Sequence, residues 1–302
     1  MSTSQLSVLY DAPGPKARRR ALIGSIAVGL AVLAVAYVVY ARLNDQGQFD
    51  RERWAPLFDP SDELFDPVWE ILWSGFRKTM TAAALAIVLS VAIGTILGVA
   101  RVMFRPAPRV PLVVVIEVLR GLPVIVLIYM AYQLLPDLGV NYDPLPGENA
   151  LWYVVVGLTA YNSVVIAEIL RAGVASLPRG QREAGLVIGL TPLQTMVQIQ
   201  LPQAFRTMLP ALISQIVVIL KDTSLISFIG GYDELLTTAK RIFQTANNPL
   251  QTLLLVGLIF IIINFALSQL AVYAERRMSR RSAGRGINPI HLDPSSAGST
   301  TA

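Results

Sequence analysis

A chain of 302 residues with 54% hydrophobic and only 15% charged side chains, and a mean hydropathy of +0.55, is too apolar for a soluble protein; charged residues make up about a quarter of such chains. The formal charge of +5 therefore has to be read by its placement along membrane-spanning segments. Cysteine is absent, which excludes disulfides, thiolate metal sites and cysteine nucleophiles, and the single histidine, His291, lies in a polar tail.

Residues 1–20 are polar and basic, with Lys16, Arg18, Arg19 and Arg20. The uncharged run 21–41 is long enough to cross a bilayer. A basic start and an apolar run also fit a signal peptide, but this run is longer than a usual signal core. It ends at Tyr37, Tyr40 and Arg42 without a small-x-small cleavage site, so it is read as a retained first span. Segment 42–74 mixes charges with Pro56, Pro60 and Pro67, so no span is expected there. It reads as an extracellular, interfacial stretch whose Trp54, Trp69 and Trp73 lie at headgroup level.

A second span is predicted over 79–100, where Gly94 and Gly98 are spaced for close helix packing. Arg101, Arg105 and Arg109, with Pro106, Pro108 and Pro111, form a basic loop. The third span, 112–135, is interrupted by Glu117 and Arg120, and Gly121 and Pro123 beyond them can break the helix. A Pro- and Asp-rich loop leads to a fourth span over 150–170. After a polar stretch come a fifth span over 205–229, a loop with Asp233, Glu234, Lys240 and Arg241, and a sixth span over 249–274. Residues 276–302 open with Arg276, Arg277, Arg280, Arg281 and Arg285 and continue as a tail poor in core-forming side chains, expected to be disordered. The fold class is thus an all-α polytopic membrane protein of six helices.

Six spans put both termini on one side with loops 101–111 and 171–206. That side holds most of the basic residues, so the termini are expected in the cytoplasm and the protein in the plasma membrane.

The polar stretch 182–202 is the most informative. Good helix formers follow Pro178; Gly189 can end that helix in a left-handed conformation; Thr191 and Pro192 can cap and open the next. Two short helices joined by a tight corner follow. Glu183 could pair with a partner's arginine, and Ala184 and Gly185 permit close backbone approach.

The spacing Glu183-Ala184-Gly185, Gly189, Ile199, Leu201-Pro202 resembles the signature of permease subunits in binding-protein-dependent ABC importers. Three more segments resemble the polar amino-acid branch of that family: Glu117-x-x-Arg120-Gly121-x-Pro123, Glu168-x-x-Arg171 followed by Pro178-x-Gly180-Gln181, and Lys221-Asp222-Thr223-Ser224. The resemblance covers about 75–275; the family core has five spans, so 21–41 is an addition. The N-terminal addition and basic tail look most like a permease of an actinobacterial glutamate importer. Two departures are Gly185, where the signature carries a second alanine, and Ile166, where the branch often has an aromatic residue.

The resemblance implies an amino-acid permease, with glutamate as the best-fitting solute. It implies docking of a separate ATPase dimer on Glu183, Ala184, Gly185, Gly189, Ile199, Leu201 and Pro202. It also implies a second permease subunit, homologous or identical, and an extracellular binding protein, but no nucleic acid. ATP and magnesium belong to the ATPase, since this chain has no phosphate-binding loop and no cofactor site of its own.

Ionisable groups within spans are functional candidates by default. Glu117–Arg120 and Glu168–Arg171 are each three apart on one helix face. Glu168–Arg171 is read as a structural ion pair. Glu117, Arg120, Asn162, Ser163, Lys221, Asp222, Thr223 and Ser224 are candidates for the substrate path. Arg120 and Lys221 favour an anionic solute, although Lys221–Asp222 also fits a self-compensating pair at a helix bend. The rival reading, a secondary transporter driven through Glu117, Glu168 or Asp222, lacks an evident internal repeat. A membrane-embedded enzyme finds no catalytic motif.

Overall fold

The computed structural model describes residues 14–283 except 141 and 144, and among these there are helices and no strands. Helix α1 (Pro15–Asp45) is followed by the short α2 (Arg51–Phe58) and the long α3 (Phe65–Met103). Helices α4 (Pro106–Gly121) and α5 (Val124–Asp137) form a sharply bent pair, and α6 (Asn149–Ala175) runs through the middle. Next come α7 (Arg179–Val187), α8 (Pro192–Thr195), α9 (Leu201–Thr207), α10 (Leu209–Asp222), α11 (Leu235–Ala246) and α12 (Pro249–Ala283).

Five stretches are long and apolar enough to cross a membrane, and the α4–α5 pair, bent by 103°, makes a sixth when it is counted as one span. The bend falls at Gly121-Leu122-Pro123, where Leu122 is extended and proline lacks the N–H that would continue the helix.

Without a hydrophobic drive between helices in lipid, packing relies on small residues. Helix α3 meets α6 through Ala82, Ala86, Ser90, Gly94 and Gly98, all buried. A Cβ on Gly94 would lie 2.7 Å from the Ser163 carbonyl oxygen, and one on Gly98 would lie 3.0 Å from that of Ala167. The four-residue glycine spacing read from the sequence thus holds the two helices together. Helix α6 is the most enclosed of the crossings.

Several expected boundaries shift. Helix α3 begins at Phe65, well before residue 79 and through the expected break at 74/75. At 1.5 Å per residue its 39 residues are about 58 Å long, longer than a hydrocarbon core of about 30 Å. Its first turns pack with α2: Leu57, Val68 and Leu72 share a core with Leu235, Ala239 and Ile242 of α11 and Val256 of α12. Trp69 donates its indole N–H to the Leu57 carbonyl at 3.1 Å.

The stretch holding Lys240 and Arg241, expected to be a loop, is the amphipathic helix α11. Its N-cap, Glu234, is buried and accepts from the Leu236 and Thr237 amides, both at 2.7 Å. Burial holds that carboxyl above its ordinary range, against those donors. Helix α12 continues through Ala283, into the stretch expected to be disordered; 1–13 and 284–302, with His291 and Arg285, lie outside the described residues.

Helix α1 has no buried residue. It is joined to the rest beyond its C-terminal end, where Gln251 donates to the Gln48 carbonyl, Arg53 to that of Asn247, and Asn248 to that of Arg53.

Candidate functional site

The polar stretch 179–202 folds as a helical elbow. Helix α7 closes with Gly189 at φ +90°; the Leu190 amide donates to the Gly185 carbonyl and the Gly189 amide to that of Leu186. These two bonds are the Schellman pattern that a left-handed glycine makes possible. Thr191 then caps α8: its hydroxyl accepts from the Gln194 amide at 3.3 Å, and the Gln194 side chain accepts from the Thr191 amide at 2.9 Å. Pro192 occupies the first turn.

A π-helical turn, Met196–Gln200, links α8 to α9. The Leu201 amide donates to the Met196 carbonyl, five residues back, just before Pro202, which has no N–H to donate. Sequence reading did not foresee this turn.

The elbow's outer surface carries Glu183 and Ala184, both exposed, beside Leu186, Val187 (86% exposed) and Ile188 (73%). Gly185 points the other way. It is buried, and a Cβ there would lie 2.7 Å from the Thr195 methyl and 3.0 Å from Ile199. Its close approach is therefore to its own chain, which corrects the expectation that it faces a partner. Ile199 and Leu201 are half-buried, while Pro202 is exposed.

Beside the elbow, the charged pairs read separately in the sequence are one network. Arg171 donates to Glu168 at 2.6 and 2.9 Å; Arg101 donates to Glu168 at 2.7 Å and to Glu117 at 3.2 Å; Arg120 donates to Glu117 at 2.6 Å. Arg101, only 12% exposed, thereby ties α3 to α4 and α6. The sequence placed Arg101 in a loop. Its register was the available signal: Gly94, Gly98 and Arg101 lie at i, i+4 and i+7, so the arginine continues the α6-facing stripe.

The remaining candidates lie elsewhere. Asn162 is fully buried, donates to the Leu158 carbonyl at 2.8 Å and accepts from Gln215 of α10 at 2.6 Å. It is a helix-to-helix tie rather than an open group, and Gln215 went unnoticed because a lone glutamine carries little signal. Ser163 is buried against α3 and directs its hydroxyl to the Ala160 carbonyl at 3.4 Å.

Asp222 ends α10, about 20 Å along the axis from Leu209. Thr223 and Ser224 turn their hydroxyls onto the Leu220 and Lys221 carbonyls, each at 2.7 Å. Lys221 is exposed, and one buried carboxylate oxygen of Asp222 has no hydrogen-bond partner. Among the described residues these two form no ion pair, so the self-compensating pair is corrected. The eight path candidates thus fall into three separate places: Glu117 and Arg120 near the elbow, Asn162 and Ser163 inside the bundle, and 221–224 at the far end.

Residues 90–280 match the family model described as the binding-protein-dependent transport system inner membrane component. The chain belongs to that family. The glutamate transport system permease protein GluD of Corynebacterium glutamicum is 38% identical to it over 247 residues, covering 81% of this chain and 86% of the relative. The probable glutamine ABC transporter permease protein GlnP of Bacillus subtilis is 33% identical over 211 residues, covering 69% and 94%.

The crystal structure of an amino acid ABC transporter with histidines superposes on this permease with a TM-score of 0.61 and 28% identity, covering 70% of this chain and 96% of that one. An inward-facing MetNI methionine ABC transporter superposes at 0.59, covering 70% and 97%; at 18% identity that likeness concerns the fold alone. This permease is a multi-pass membrane protein of that transport class.

Proposed function

We propose that this permease carries a polar amino acid, glutamate in the first instance, into the cytoplasm, driven by a separate ATPase dimer that docks on the 179–195 elbow. The observation that carries the reading is the elbow itself: an acid, Glu183, beside an exposed apolar rim, on a hairpin fixed by a Schellman turn and a capping box. Such a knob fits a groove on a partner. ATP and magnesium would be held there and not in this chain. A second permease subunit would complete the path and an extracellular binding protein would deliver the solute.

Movement of the elbow would pass through the π turn to α9 and α10, and to α3 and α6 beside the ion network. The network holds three arginines against two glutamates, which leaves a net positive charge where α4 turns into α5. That surplus suits an anionic solute, as does the name of the glutamate transport relative, GluD. The excess of basic residues on the side of the elbow supports a cytoplasmic position for that side.

The test is uptake of labelled glutamate into vesicles holding this permease, its companion subunits and the binding protein. Uptake should require ATP inside, and Glu183→Lys should abolish both uptake and co-purification of the ATPase while leaving membrane insertion intact. Uptake that persists without nucleotide and collapses with an ionophore would replace this reading with a gradient-driven transporter.

A further inference from the structure

At the end of the bundle opposite the elbow, α3 presents Ser74, Arg77, Lys78 and Thr81 at i, i+3, i+4 and i+7, along one face. They line a cavity of 370 Å3 whose other wall includes Glu148 and Tyr232. Lys78 is fixed in it: its ammonium lies 2.7 Å from the Glu148 carboxylate and 5.5 Å from the centre of the Tyr232 ring, while the Tyr232 hydroxyl donates to the Lys78 carbonyl at 3.0 Å. Arg77 is exposed and, among the described residues, makes no ion pair. Two cations against one carboxylate leave the cavity with one positive charge uncompensated.

The depth of this cavity is set by its neighbours. Trp73 is exposed one turn before Arg77 and stacks on Phe76 at 5.2 Å, a placement suited to the membrane–water boundary. Below the cavity the same face of α3 continues through Leu85, Val88, Ala92 and Ile96, and no charged residue occurs between Lys78 and Arg101. Val88 and Ile96 are among the most exposed apolar side chains of the helix. A cationic mouth at headgroup level thus leads into an apolar stripe that descends toward the middle of the bilayer.

We propose that this face of α3 is a binding site for an anionic phospholipid. The phosphodiester enters the cavity between Arg77, Lys78 and the Ser74 hydroxyl, while the Thr81 hydroxyl donates to the Arg77 carbonyl at 2.8 Å, and an acyl chain lies along Leu85, Val88, Ala92 and Ile96. One uncompensated positive charge matches a headgroup with one net negative charge. A soluble phosphate or carboxylate would suit the mouth but has nothing to place on the stripe, which decides between the two sources. The site does not depend on how transport is driven.

The test is native mass spectrometry of the full chain in detergent, titrated with phosphatidylglycerol and phosphatidylcholine of identical acyl chains. The unsubstituted chain should retain phosphatidylglycerol over phosphatidylcholine by about fivefold, the effect of one cation near a lipid surface. The double variant Arg77→Gln/Lys78→Gln should erase that preference, while Lys240→Gln, another cation at the same end, should keep it. Equal retention of the two lipids by the unsubstituted chain overturns the proposal, and this comparison needs no variant to fold. Displacement of phosphatidylglycerol by millimolar inorganic phosphate or glutamate overturns it as well, by making the cavity a site for soluble anions.

Discussion

Replacing Arg101 by methionine removes two ion pairs and keeps most of the side-chain volume. The two glutamates are not stranded, because Glu168 keeps Arg171 and Glu117 keeps Arg120. The cost is therefore well below the ~3–5 kcal/mol of leaving a buried charge unpaired. A charge-assisted hydrogen bond contributes about 1.5–3 kcal/mol where water is excluded. The pair with Glu168, at 2.7 Å and 24% exposure, lies toward the lower part of that range; the pair with Glu117, at 3.2 Å and 41% exposure, is screened to under about 1 kcal/mol. Relief of the arginine's desolvation offsets part of the loss, which leaves about 1–2 kcal/mol net. Arg171→Met, by contrast, removes a pair within one helix and should cost under about 1 kcal/mol. The assay is the midpoint of thermal loss of the monodisperse peak in detergent, where each kcal/mol moves a domain of this size by roughly 2–4 °C. A drop for Arg171→Met equal to or larger than that for Arg101→Met would refute the assignment of Arg101 as the tie among α3, α4 and α6.

Gly94→Ala should destabilise by about 1–3 kcal/mol and more than Gly98→Ala, because its Cβ meets the Ser163 backbone more closely; the same melting assay ranks them. Gly185→Ala should loosen the elbow through collision with Thr195, and Gly185→Ala/Thr195→Ala should restore amide-exchange protection in α7; two independent effects that merely add would refute the contact. Glu234 carries a folded pKa above its unfolded value, so folding retains a proton that the unfolded chain releases. The stability from this group is complete below the unfolded carboxylate range, at about pH 4, and is lost as pH rises through the higher folded value. Glu234→Gln, which keeps an acceptor at the cap, should therefore narrow the gap between melting midpoints at acidic and neutral pH; an unchanged gap refutes it.

The sequence was most legible where local chemistry dictates local form. Gly189 permits the left-handed turn that ends a helix, Thr191 can cap the next and Pro192 fits its first turn, so the elbow could be drawn before its packing was known. The long apolar helices followed from hydropathy for the same reason. Features that depend on which face meets which were harder. The start of α3 was missed because Asp66, Pro67 and Glu70 read as loop, whereas an early proline is tolerated in a helix's first turn and the acids face outward. Helix α11 was missed because its apolar face, Leu235, Ala239 and Ile242, is narrow and carries Lys240 and Arg241 beside it. The Asn162–Gln215 tie and the role of Arg101 needed two helices in register, which spacing along one of them does not disclose.

Helix α1 buries none of its residues, so the packing of the described residues does not fix its tilt. Its moorings lie just past its last turn, at Gln48 and Arg53, and the preceding thirty-one residues project from that anchorage as a spar. Lipid thickness and neighbouring chains, rather than this bundle, will set the angle at which it stands.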